Sequence, residues 1–321
     1  MAGEVPSGAI TVGVDESEVS LVALHRAVRE AELQDRPLCI VHAYDPRPTV
    51  YSALGAMVPP LELTEALDQA AEEVLHHAGH LARAQAPKVR VTLVWSTLDA
   101  REALAECGRS SSLLVLASRG RSTMRHLLLG SVGLWVSQHA PCPVLVVRGE
   151  HDERGEPVGR RWIVVGTDGT PQAEAAVGFA FDQASRHGAP LTVTRCLPVE
   201  VGGHHRVHEG PVTGDTPEGK VLAEQVAALS DRYPHVRVES ELVRGPAVGH
   251  LTRLSEAAGL VVLGSRPRHG PGPWGLGGVR RAVAEHAHCS VAVVPAHPTS
   301  TDPSGPGDPG AGSAVLERER P

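Results

Sequence analysis

Short apolar runs rich in β-branched residues, each closed by small or polar residues, punctuate the chain and recur in one order in both halves. Residues 9–17 match 162–170, 38–44 match 191–197, 89–94 match 236–242, 113–118 match 260–265, and 142–147 match 289–294. The separation is about 150 residues each time, so one unit is written twice. Between the strands lie helical patterns. Leu21, Leu24, Val28 and Ala31 share one face after an N-cap at Ser17 or Ser20. Leu67, Ala71, Val74, Ala78 and Leu81 make a longer stripe from about Thr64. The strands are continuously apolar rather than alternating, as expected when helices cover both faces of a sheet.

Strands alternating with helices predict right-handed crossovers and parallel sheets. The fold class is therefore α/β: two tandem doubly wound domains, each a five-stranded parallel sheet flanked by helices. The pattern divides the chain into a flexible N-terminus (1–8), a first domain (9–149), a charged linker with Gly and Pro (150–160) and a second domain (161–296). A tail follows (297–321) whose Pro, Gly, Ser and Asp content predicts disorder.

Composition adjusts this picture in few places. The chain has 321 residues, 41% apolar and 21% charged, enough for a core in each half. Aromatics make up only 3%, so those cores must be built from Val, Leu, Ile and Ala. The formal charge of −7 argues against nucleic-acid binding by bulk phosphate attraction. Cys39, Cys107, Cys142, Cys196 and Cys289 have no metal-type spacing and read as buried free thiols. No leader or membrane span is legible, and the expected location is the cytoplasm.

In a doubly wound sheet, ligands sit at the carboxyl ends of the strands, where strand order reverses. Two turns of the first repeat converge there. One holds Gly13, Val14 and Asp15; the other runs from Ala117, Ser118, Arg119, Gly120 and Arg121 to Gly130, Ser131 and Val132. Gly130-Ser131 opens a helix, offering free N–H groups and a hydroxyl to a phosphate, and Asp15 is placed for ribose hydroxyls. Arg119, Arg121 and Arg125 read equally as phosphate partners or as a solvated turn.

This pattern resembles the universal stress proteins, whose ATP-binding members carry Gly, two residues, Gly, nine residues, Gly, then Ser or Thr. Gly120, Gly130 and Ser131 fit, with Ala117 in place of the leading Gly. The resemblance implies a HUP or Rossmann-like fold of the adenine nucleotide alpha hydrolase type. It implies adenine contacts at Val41 and ATP as cofactor, with or without Mg²⁺. It also implies pairing of strand 144–147 with 291–294, homodimers of such chains, an unknown protein partner, and a regulatory role under stress. The second repeat gives a weaker site at Gly166, Asp168, Gly264, Ser265, Gly277, Gly278 and Val279. There Pro267 stands for the second Gly, and Gly278 replaces the hydroxyl residue.

Other signals carry less. Gly214 to Lys220 spells most of a P-loop, but Val221 replaces its Ser or Thr and no strand leads into it. His76, His77 and His80 read as a solvated helix face rather than a metal site, as do His204, His205 and His208 in the matching loop. No nucleophile elbow is present, so no catalytic residue is assigned. Two alternatives stand beside a nucleotide-binding regulator. One is a nucleotide-free interaction module, favoured by Ala117, Pro267 and Gly278. The other is a slow ATP hydrolase using Asp15 or Glu16 as base.

Overall fold

A computed structural model describes residues 3–46, 60–118, 130–198, 210–212, 215–265 and 277–296, with side chains of 60–64 excepted. Arg119, Gly120, Arg121, Pro267, the histidine loop of the second half and the tail 297–321 lie outside the described residues.

The first half runs β1 (Ala9–Gly13), α1 (Glu18–Gln34), β2 (Leu38–Ala43), α2 (Pro60–Gln85), β3 (Val91–Ser96), α3 (Ala100–Cys107), β4 (Ser111–Ala117), α4 (Ser131–His139) and β5 (Val144–Val147). The second runs β6 (Ile163–Thr167), α5 (Glu174–His187), β7 (Leu191–Leu197), β8 (Gly210–Pro211), α6 (Pro217–Ser230), β9 (Val238–Arg244), α7 (Ala247–Leu254), β10 (Leu260–Ser265), α8 (Gly277–His286) and β11 (Ser290–Pro295). Both halves are doubly wound and their repeated strands are parallel. Strand order reverses between β1 and β4, and again between β6 and β10.

The two sheets join. β5 pairs antiparallel with β11, Val144 opposite Val293 and Val146 opposite Val291, giving one 11-stranded sheet. The two-residue β8 adds to the outer edge of the second half, antiparallel to β9, an element with no repeat counterpart. Two cores follow, one on each face of the joined sheet. α1, α2, α5 and α6 cover one face; α3, α4, α7 and α8 cover the other. On α1, Ala23, Leu24, Ala27, Val28 and Ala31 face the sheet at helical spacing and are essentially inaccessible. Each large side chain buried this way contributes about 1.5–3 kcal/mol.

Local signals were partly rewritten by neighbours. Ser17 precedes α1 but its side chain makes no helix cap; both its N–H and hydroxyl donate to Asp15 Oδ1. Ser20 lies inside the helix, its hydroxyl on the carbonyls of Asp15 and Ser17. The segment before β1 touches the sheet: Val5 is buried, and the Gly8 N–H donates to Ser110 O at 2.7 Å. Four cysteines are buried and Cys196 is half-buried, all as free thiols.

Candidate functional site

Each half builds the crossover in the same way. β1 ends at Gly13, where a Cβ would stand 3.0 Å from Leu116 and 3.1 Å from Leu104, so β4 and α3 close tightly on the strand end. At Gly166 the corresponding neighbours are Leu263 of β10 and Leu251 of α7, at 3.6 and 3.2 Å. The chain then turns through an acidic residue whose carboxylate folds back on a hydroxyl two residues on. Asp15 accepts from the N–H of Ser17 at 2.9 Å, and Asp168 accepts from the N–H and hydroxyl of Thr170 at 3.0 and 2.5 Å. These internal bonds hold each carboxylate at the sheet edge.

In the first half, Val14 donates its N–H to Val41 O at 2.9 Å, and Val41 itself is buried. Ala117 ends β4 opposite Val147, and Ser118 continues the pairing by donating to Val147 O. Gly130 precedes α4, Ser131 is its exposed first residue and Val132 follows half-buried. Gly13, Val14, Asp15, Ala117 and Ser118 thus gather at the carboxyl ends of two adjacent strands. Asp15 also borders a cavity of about 310 Å³ between the β1 turn and α2, rimmed by Glu16, Glu18, Glu73 and His77. That acidic rim suits hydroxyl groups and repels phosphate.

The second half holds a formed cavity of about 160 Å³ at the crossover itself. Of its expected site residues, Gly166, Asp168, Gly264 and Val279 line it. Gly277 and Gly278 open α8, while Ser265 closes β10 and accepts a hydrogen bond from Arg280 Nη1 at 2.5 Å. Its lining combines the apolar Ala173, Ala247, Leu251 and Leu263 with Asp168, Gln172 and Arg280. Such an apolar lining with few polar groups fits a nucleoside: a base on the apolar side chains, ribose hydroxyls on a carboxylate, an anion on a guanidinium.

Thr194, Cys196, Gln172 and Arg280 also line the cavity and were not among the expected residues. Their signal lay in the repeat. Gly13 is level with Val41, and Val41 with Val94; Gly166 is level with Thr194, and Thr194 with Glu241. Where the first half is apolar, the second carries a polar chain. Arg253 Nη2 donates to His250 Nδ1 at 3.1 Å, and a guanidinium only donates, so Nε2 carries the ring hydrogen. Nε2 lies 3.3 Å from Thr194 Oγ1 and 3.5 Å from Glu241 Oε1. Burial outweighs the Glu241 charge and pushes the His250 pKa down, which favours this neutral ring. Burial also lifts the Cys196 thiol to about 11, so it is protonated at neutral pH and no nucleophile.

Among the described residues no group of three metal-ligating side chains converges, and no helix is long and apolar enough to cross a membrane. Comparison with known proteins agrees with the internal repeat. The model of the universal stress protein family matches residues 7–148 and again 159–295. A universal stress protein of Mycobacterium tuberculosis is 33% identical over 291 residues, covering 88% of this chain and 95% of its own length. One from Mycolicibacterium smegmatis is 32% identical, covering 89% and 96%. The crystal structure of a universal stress protein from Archaeoglobus fulgidus superposes with a TM-score of 0.63 at 18% identity, covering 91% of this chain and 97% of that one. A twice-matched family model and relatives spanning nearly their full length leave one conclusion: the chain belongs to the universal stress protein family, with the family's domain present in tandem.

Proposed function

We propose that the chain is an adenine-nucleotide-binding regulator, with residues 9–149 and 161–296 as its two binding domains and ATP held chiefly in the first. Nucleotide occupancy then sets which protein partner or assembly, including a homodimer, it enters in the cytoplasm. The observation that carries this reading is the crossover cavity of the second half, lined by apolar side chains together with Asp168 and Arg280. The first half shares its construction, from Gly13 packed on Leu104 to Asp15 turned on Ser17. What favours the first half for ATP is Ser131 at the start of α4, where the second half has Gly278. A hydroxyl and open N–H groups at a helix start suit a phosphate chain. The roles given to Val41 and to Gly120, Gly130 and Ser131 are part of this proposal.

The test is to purify the protein from cells, denature it, and identify and count the nucleotide released per chain. At least one adenine nucleotide per chain, reduced in Asp15→Ala and Gly130→Ala, is the expected result. No nucleotide on the purified chain, and no binding of millimolar ATP with Mg²⁺, would overturn it. Sedimentation with and without ATP reads the assembly.

A further inference from the structure

The linker between the halves is folded and anchored on the helical layer beneath it. His151 bridges to Pro157, the Val158 N–H donates to Glu150 O, and Asp152 Oδ1 accepts from the N–H groups of Arg154 and Glu156. Residues 150–158 thus close on themselves as a small hairpin. Gly155, in its turn, rests on the backbone of α1, and Arg154 O accepts from Gln85 Nε2 at 3.4 Å. Glu156 then reaches two side chains, accepting from Arg29 Nε at 2.9 Å and meeting His187 Nδ1 at 3.3 Å. His187 is the last residue of α5, and its other nitrogen, Nε2, lies 2.9 Å from Glu30 Oε1 of α1. One imidazole therefore stands between a carboxylate of the first half and a carboxylate of the linker.

A carboxylate oxygen only accepts, so both bonds need a hydrogen on each ring nitrogen, and only the imidazolium has two. A neutral ring keeps one bond and sets the other carboxylate against a lone pair. Glu30 cannot turn away: it is completely buried and held by Arg26, Gln34 and Gln183. The Glu156 side chain is 26% exposed and has water to turn to. We infer that His187 is a proton-operated latch for the linker: protonated, it fastens residues 150–158 to α5; neutral, it keeps Glu30 and lets Glu156 go. The other charges around the ring are Arg26 of α1, its Nη2 3.3 Å from Nε2, and Arg29, already paired with Glu156. His151 and Asp152 lie beside Glu156 in the linker, and α5 itself adds Arg186, paired with Asp182. Burial and Arg26 oppose the cation, but the two carboxylates prevail and set the ring's pKa above 6.5. The latch is therefore fastened below about pH 6.5 and opens as pH rises through that raised value. The β5–β11 pairing and the Arg148 contacts contain none of these groups, so opening frees the linker while the halves stay joined.

NMR of the full chain between pH 6 and pH 9 tests this, reading the His187 ring and the amides of Gly155 and Glu156 in the same samples. Ring and linker amides should share one midpoint above pH 6.5. Amide exchange at Gly155 and Glu156, corrected for its intrinsic pH dependence, should quicken at least about tenfold over that range, as for loss of a charged hydrogen bond, with β5 and β11 unchanged. His187→Gln, which takes up no proton, should show the fast linker exchange at both ends of the range. Glu156→Gln supplies an amide that can accept from Nδ1–H or donate to a bare Nδ1, so its linker should stay docked at either pH while the His187 midpoint falls. His151→Gln should leave the transition in place. A transition that survives in His187→Gln or in Glu156→Gln, or that disappears in His151→Gln, would overturn the inference. So would a His187 ring that titrates while the linker amides stay still. Glu156→Gln alters a partly exposed side chain, so it decides the matter even where His187→Gln fails to fold.

Discussion

At Gly155 the backbone lies at φ +76°, and a Cβ there would stand 2.4 Å from the backbone nitrogen of Arg26 and 2.5 Å from the carbonyl carbon of His25. The conformation and the contact both exclude a side chain, because the neighbour is the backbone of α1. Gly155→Ala should therefore lower stability by about 2 kcal/mol or more, read as a lower urea midpoint. Glycines near strand ends differ in the room around them. Gly13 has leucine methyls at 3.0 and 3.1 Å, whereas a Cβ at Gly264 would meet Ala176 at an ordinary 3.5 Å. Gly13→Ala should cost about 1–3 kcal/mol and Gly264→Ala well under 1 kcal/mol; the same denaturation series measures both. Sequence could mark Asp15 and Asp168 as sheet-edge carboxylates, because a strand ending in a polar turn is a local pattern. The repeat sets Thr194 against Val41 and Arg280 against Gly133, but that both line one cavity comes from strand register and from a side chain crossing between α8 and β10, which join residues far apart in the chain.

At the scale of elements, the repeated runs located the strands to within about two residues; continuous burial leaves no alternation to misread in the central ones, while the outer β3 and β9 are only partly buried. Boundaries moved where a neighbour intervened. The run expected from Val89 starts as β3 only at Val91, because Val89 donates its N–H to Ala86 O in a turn after α2. β8 is invisible in sequence, being two residues recruited by the open edge of β9. The join between β5 and β11 has a further clasp that no periodicity reveals. Arg148, just past β5, donates to the carbonyls of Ala284 and Ala287 at 2.9 and 2.5 Å at the end of α8. Those carbonyls have no helical partner of their own. Arg148→Met should lower stability by about 1–3 kcal/mol and raise amide exchange first in α8 and β11. Uniform exchange across both halves would show that Arg148 does not hold that helix.

Across the whole molecule, the helical layer on one face is tied by a buried polar cluster contributed by both halves and the linker. Glu30 of α1 is completely buried. It accepts from Arg26 at 3.0 Å, from Gln183 of α5 at 3.2 Å, and pairs with His187 Nε2 at 2.9 Å. Glu156, in the linker, pairs with His187 Nδ1 and Arg29. Burial opposes ionisation of Glu30, but Arg26 and His187 outweigh it and hold the carboxyl far below its ordinary range. The His187 hydrogen bond is the chief cause of a Glu156 carboxyl near 2 instead of 4.5. Burial disfavours the His187 cation, yet its two carboxylate partners raise it above 6.5. The carboxylate contribution is therefore complete above about pH 4.5 and falls away toward pH 2. The His187 contribution is complete below about pH 6.5 and falls away as pH rises through its raised pKa. Urea midpoints should be higher at pH 6 than at pH 9, and His187→Gln should flatten that slope. Glu30→Ala, which strands Arg26 in the interior, should cost about 3–5 kcal/mol.

The antiparallel meeting of β5 and β11 has one more consequence. Two separate copies of a single domain that docked through such strands would part on dilution, so their pairing would report how much protein a cell contains. Here the partner strand is tethered on the same chain, and its effective concentration is fixed by the linker rather than by expression level. The pairing stays closed in the most dilute solution, so this join does not register the protein's abundance.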